Sequence, residues 1–197
     1  RQYVATPAGW REKQVGIGED GALMFGLGAP LPLPPACANA QDEPGQVRDV
    51  APGLAPLVDV IAARFEHHIG RALFIDYGDI TGAPGDSLQA LHRHNKCHPL
   101  DHVGEADLTA HVDFNALVTH AHQSGLKTHG PISQRAFLQG LGIEPRAQAL
   151  IVANPHCAND VHSAVERLIG TEHMGALFNV VCMDSTRNDG RGPPLGI

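Results

Sequence analysis

Basic residues are scarce in this chain. Its 197 residues hold 14 Lys and Arg against 21 Asp and Glu, a net charge of −7 with His neutral. No basic stripe runs through it, which argues against a nucleic-acid partner. An acidic surface of this kind serves solubility and can attract a basic protein segment. No apolar run reaches the roughly 20 residues needed to span a bilayer, and the opening RQYVATPAGW has no signal-peptide core. The four cysteines, Cys37, Cys97, Cys157 and Cys182, are far apart and form no CxxC pair. That spacing argues against a structural zinc site and against a disulfide scaffold, and a reducing compartment is the simplest setting. There is no GxSxG elbow to present a Ser nucleophile. There is also no initiator Met at Arg1, so the chain is expected to begin inside a longer protein.

What the chain does have is enough apolar material for a core. Hydrophobic residues make up 43% and charged residues 18%, a balance that disfavours disorder. Residues 1–27 read as a β-meander, with strands at Tyr3–Ala5, Arg11–Ile17 and Ala22–Leu27 separated by Gly-containing turns. Trp10, the single Trp, is expected to pack the sheet face. Residues 28–53, with PLPLPP at 30–35, read as a long extended loop. Leu54, Leu57, Val58, Ile61, Phe65 and Ile69 recur at helical spacing, and Gly70 supplies the stop.

The apolar run Ala72–Ile75 then predicts a strand buried on both faces, parallel to its neighbours in a mixed sheet. It ends in Asp76, Tyr77 and Gly78. In open α/β sheets ligands bind beyond the carboxyl ends of strands, so these three residues stand where function is expected. Residues 79–107 look irregular. Leu108–Val112 is a candidate short strand, and Asp113 a natural N-cap for a helix closed by Gly125. A strand at Lys127–His129 follows, then a short helix capped by Ser133 and two helices over 144–153 and 158–169. ALFNVVCM, within 174–183, reads as a second buried strand, and residues 185–197 as a loose tail. Helices alternating with buried strands indicate an α/β sheet with crossovers.

Histidines gather at His92, His94, His98 and His102, near Cys97 and Asp101. They lack the paired spacing of zinc ligands, so no metal is expected. GIGEDG at 16–21 is hairpin-like and lacks the GxGxxG spacing of a cofactor-binding strand-to-helix loop.

Several stretches resemble the MidA family of class I methyltransferases: QYVATPAGWREKQV, RALFIDYG, GDSLQALHRH, GEADLTAHVDF, GPISQRAFLQGLGI and MGALFNVV. GEADLTAHVDF is the most specific, because its polar residues answer to no helix or strand propensity. The resemblance implies a Rossmann-like sheet, with the β-meander as an insertion and residues 54–184 as the C-terminal half of the methyltransferase domain. It implies S-adenosyl-L-methionine as cofactor and a protein arginine as substrate, on a subunit of respiratory complex I or its bacterial counterpart. The family's protein is roughly twice this long, consistent with the length of one whole domain of which this chain is a half. Most of the cofactor site is therefore expected outside this chain, and its residues are unknown here.

An arginine substrate needs carboxylates to hold its guanidinium. Asp76 and Asp113 are the catalytic candidates, with Asp107 as a substrate contact. His111, two residues before Asp113, is a candidate to take the guanidinium proton. Tyr77, Gly78 and Phe114 are the expected walls of the substrate channel. The segments 76–78 and 111–114 are expected to converge on one cleft. A bacterial cytoplasm or a mitochondrial matrix fits, and self-association through an uncovered strand is expected. The alternative is a non-catalytic protein-binding module or decayed copy that lacks the cofactor half.

Overall fold

The computed structural model describes residues 1–31, 43–82, 85–185 and 192–197. Cys37, most of the Pro-rich stretch and the first part of the expected tail lie outside these. In chain order the strands are β1 Gln2–Thr6, β2 Gly9–Ile17, β3 Leu23–Leu31 and β4 Val47–Asp49. Helix α1 Leu54–His67 and strand β5 Arg71–Asp79 follow, then β6 Gln89–His92, β7 Asn95–Cys97, β8 Asp107–Thr109 and β9 Val112–Asp113. The rest is α2 Phe114–Gln123, β10 Lys127–Ser133, α3 Gln134–Gly140, α4 Ile143–Ala153, α5 Ala158–Ile169, α6 Met174–Leu177 and β11 Phe178–Asp184.

These elements form two compact units, one of residues 1–52 and 83–111, the other of 53–82 and 112–197. The first unit contains the expected meander as an antiparallel sheet of order β3-β2-β1-β4. Tyr3, Ala5 and Trp10 form its small core, with Val50 against it. Strand β4 was hidden in the stretch read as loop, because three residues carry too little periodicity to be seen. The region 79–107, read as irregular, holds a second antiparallel sheet of order β7-β6-β8. Its strands are only three or four residues long, again below the reach of pattern reading.

Polar residues of the GDSLQALHRH stretch knit this unit together. The Gln2 amide donates to Asp49 at 2.9 Å and to Asp86 at 2.6 Å. The Ser87 N–H donates to Asp49 at 2.8 Å, and its hydroxyl donates to the same carboxylate.

The second unit is built on a four-stranded mixed sheet, order β10-β11-β5-β9. Strand β11 is buried throughout its middle, from Asn179 to Met183. Helices α1 and α2 close one side of the sheet. Val58, Phe65, Phe114, Leu117, Ala121, Leu126, Val181 and Met183 form that core, with Ala72 and Phe74 packed against it. At one end of the sheet Asp184 accepts from Arg71 at 2.7 Å and lies 3.0 Å from the His129 ring, so one carboxylate joins β5, β11 and β10.

Strand β5 corrects two expectations. Residues 71–77 pair antiparallel with β11, and the parallel contact is confined to Gly78–Val112 and Asp79–Asp113, with β9. An apolar run carries no information on strand direction, which depends on where the chain returns. Nor is β5 buried on both faces: Leu73 is 50% exposed and Ile75 43%. The doubly buried strand is β11. Its predicted span also shortens, since Met174–Leu177 forms a helical turn before the strand begins.

Candidate functional site

Of the two segments expected to converge, residues 76–78 and 112–114 adjoin in the second unit, while His111 falls in the other. Strand β9 lies parallel to the end of β5, with Gly78 opposite Val112 and Asp79 opposite Asp113. Glycine is required at this junction. A Cβ on Gly78 would stand 2.1 Å from the Val112 carbonyl oxygen and 2.8 Å from its nitrogen, both main-chain atoms that cannot turn aside. The Gly78 carbonyl accepts from the side chain of Asn179 at 2.9 Å. Asn179, 8% exposed, therefore ties β11 to the end of β5. Reading ALFNVVCM only as an apolar strand missed it, although a single amide inside such a run is itself a signal.

Around this junction the carboxylates differ in how they are engaged. Asp76 is exposed, and its Oδ1 accepts from the Tyr77 N–H at 2.8 Å. Asp79, which sequence reasoning overlooked, accepts from the Thr81 N–H and hydroxyl, each at 2.6 Å, and so closes the turn after β5. Asp113 accepts from the Ala116 N–H at 2.8 Å as the N-cap of α2. Tyr77 stacks edge-on against Phe178, with ring centroids 5.5 Å apart.

Phe114 is corrected. It is fully buried in the helix–sheet core and has no surface with which to line a channel. The first helical position after the cap points it inward under the sheet. Asp107 and His111 belong to the other compact unit. Asp107 is exposed on β8, and the His111 N–H donates to the Ser87 hydroxyl at 2.9 Å.

Asp113 gives a direct test of how much of its role is structural. Replacing it with Ala should cost about 1 kcal/mol, the usual worth of an N-cap, whereas Asn should restore most of that. Thermal melts of the two variants check this; equal loss in both would show that charge rather than capping is at stake.

Nothing among the described residues cradles a nucleotide-type cofactor in the usual way. GIGEDG is the hairpin between β2 and β3, closed by Gly18 N–H to Ala22 carbonyl at 2.8 Å and Gly21 N–H to Gly18 carbonyl at 2.9 Å. The two strands that run directly into helices do so at Asp113 and Ser133. Both turns are capped by those side chains and neither contains a Gly-rich loop.

Comparison with known proteins adds to this geometry. Residues 1–132 match the family model described as "Putative S-adenosyl-L-methionine-dependent methyltransferase". The chain is 31% identical over 182 residues to the protein arginine methyltransferase NDUFAF7, mitochondrial, of Rattus norvegicus, covering 90% of this chain and 41% of that protein. The Homo sapiens protein of that name aligns with the same figures. The Drosophila melanogaster homolog is 36% identical over 129 residues, covering 64% and 29%. A Burkholderia thailandensis crystal structure, titled a "likely methyl transferase" bound to S-adenosyl-homocysteine, superposes with a TM-score of 0.84 at 25% identity. All of this chain is covered, and 51% of that one. The chain thus spans about two fifths of the curated relatives it matches and half of the solved structure.

Proposed function

This chain belongs to the family of S-adenosyl-L-methionine-dependent methyltransferases that matches it over residues 1–132, and from that premise we propose that it forms the C-terminal, substrate-facing portion of a protein arginine methyltransferase. The protein substrate is an arginine-bearing subunit of respiratory complex I or its bacterial counterpart. The observation that carries the reading is the junction of β5 and β9, which sets Asp76, Asp79 and Asp113 on two adjoining strand ends. A guanidinium is recognised best by carboxylates that accept two parallel N–H bonds. Asp79 and Asp113 spend an oxygen on local turns. Asp76, exposed and bonded only to its neighbour's N–H among the contacts above, is the carboxylate best placed to hold the substrate. Tyr77 and Gly78 flank it. The net charge of −7 favours the approach of a basic substrate segment.

S-adenosyl-L-methionine supplies the methyl group in this family. The described residues hold no cradle for it, so its site is assigned to the part of the relatives that this chain does not span. What these residues contribute is orientation of the nucleophile, the term that aligned geometry makes large. Asp107 and His111 enter only as sequence candidates, for a substrate contact and for proton removal. Among the described residues no helix is long and apolar enough to cross a membrane. The relatives are named mitochondrial, and the matrix or a bacterial cytoplasm is the proposed setting.

In a full-length enzyme containing these residues, Asp76→Asn should lower methyl transfer roughly 10-fold or more, in keeping with loss of a charge-assisted pair. Because Asp76 is exposed, stability should change by no more than about 0.5 kcal/mol. Mass spectrometry of a methylated arginine peptide, beside a thermal melt, reads both. Unaltered methylation would remove Asp76 from the site. The second reading, a binding module without catalysis, draws on the missing cofactor cradle, and a full-length protein that transfers no methyl group would favour it.

A further inference from the structure

We propose that His92, His102 and Glu105 form a surface site for a divalent transition metal of the zinc class, an assignment that does not depend on the methyltransferase reading. One donor atom from each of the three lies within 4.8 Å of the others. The His92 Nε2 is already 3.6 Å from the Glu105 carboxylate. The rings of His92 and His102 stack 4.0 Å apart at 18°. Two ligands on one tetrahedral zinc, each bonded at about 2.0–2.1 Å, stand about 3.4 Å apart. The donors therefore need to draw in by about 1.4 Å at most. His102 and Glu105 are exposed and free to turn that far, while the His92 side chain, 19% exposed, is the fixed anchor.

The fold builds this arrangement from residues that look unrelated in sequence. Leu91 on β6 pairs with Asp107 on β8, so the ladder delivers His92 beside the turn that precedes β8. That turn is closed on the His102 carbonyl, which accepts from the Glu105 N–H at 2.8 Å and the Ala106 N–H at 3.0 Å. His102 itself has φ +52°, the left-handed conformation that a non-glycine residue adopts only when its surroundings require it. An exposed His–Glu ion pair contributes little by itself and does not account for the third donor. Two imidazoles and one carboxylate are a borderline donor set suited to Zn²⁺, Co²⁺ or Ni²⁺. Three protein ligands also leave a coordination position open, here toward solvent. The bound ion would clasp the end of β6 to the 102–106 turn.

The test titrates the chelator-treated 197-residue chain with Zn²⁺ against a chromophoric chelator. One tight equivalent is expected. His92→Ala and His102→Ala should each weaken it at least ~10-fold, and Glu105→Gln by about as much. His67→Ala/His68→Ala, at the end of α1, should leave it unchanged. A second reading needs no variant: in the wild-type chain the ring proton signals of His92 and His102 should move together as Zn²⁺ is added. No equivalent tighter than ~0.1 mM, above the range of sensor-class metal sites, would overturn the proposal. So would equal affinity in the His92 and His102 variants, or shifts at other histidines with these two still.

Discussion

Titration of the purified 197-residue chain with S-adenosyl-homocysteine is expected to give no saturable heat, which places any affinity weaker than ~1 mM, or about −4 kcal/mol. The same preparation should sediment as a mixture of associated species. The first outcome follows from the lack of a cofactor cradle among the described residues, and the second traces to β5. Among the described residues, β5 pairs with β11 along one edge from Arg71 to Tyr77, and on the other edge with β9 at Gly78 and Asp79, which leaves Ala72–Asp76 as the open stretch. An open edge presents a row of unpaired N–H and C=O groups that another strand can complete. Leu73 and Ile75, half exposed, supply apolar surface beside it, worth roughly 25 cal/mol for each Å² removed from water. Micromolar binding of S-adenosyl-homocysteine by a clean monomer would mean that the cofactor site lies within these residues. The assignment of the chain as a substrate-facing half would then fall.

A second large effect is expected from one methyl group. Gly78→Ala should destabilise the unit built on the mixed sheet by about 3 kcal/mol, the upper range for forced overpacking, which shifts its folding equilibrium about two orders of magnitude. The added Cβ meets the Val112 main chain at 2.1 Å, and relief requires β9 to separate from β5. That would also displace Asp113 and the start of α2, because the cap and the strand share this residue. Gly26→Ala, where a Cβ meets nothing within 4 Å, is the control and should cost no more than a typical surface change. Denaturant melts of the two variants decide the matter; coincident curves for Gly78→Ala and the parent would show that β9 yields freely.

Much of the second unit was legible before the structure. The 3.6-residue spacing of Leu54 to Phe65 predicted α1, and Asp113 and Ser133 announced their helices because a short oxygen-bearing side chain before an apolar run satisfies the first free N–H groups. Capping is local chemistry, so local sequence reports it. What failed was non-local. Nothing in Ala72–Ile75 says whether its partner arrives parallel or antiparallel, and nothing in Val47–Asp49 says that β1 waits more than 40 residues upstream, as the Tyr3–Arg48 and Gln2–Asp49 pairs show.

The candidate site divides the same way. Asp76 and Gly78 were found from their place after an apolar run. Phe114 was misread because an aromatic next to a polar motif looks the same whether it faces a channel or the core. Asn179 was missed since its work is done against a main-chain group of another segment, whereas Asp79 closes a local turn on Thr81 that the stretch read as irregular concealed. His92 and His102 were seen to gather, but their meeting with Glu105 was not, being assembled by the register of β6 on β8.

The chain passes from one compact unit to the other three times, after residues 52, 82 and 111. During synthesis the meander emerges first, yet its polar network stays incomplete. Gln2 must wait for Asp86, 84 positions later, and Asp49 for Ser87. By then α1 and β5 of the other unit have already been made. Contacts so distant in sequence slow folding, because the loop must close before it is rewarded. The order of maturation is thus written into the connectivity: the unit that starts the chain can finish first, at residue 111, yet not before α1 and β5 of the other have been made, and a ribosome pausing before residue 86 would hold a meander still lacking its Asp86 and Ser87 contacts.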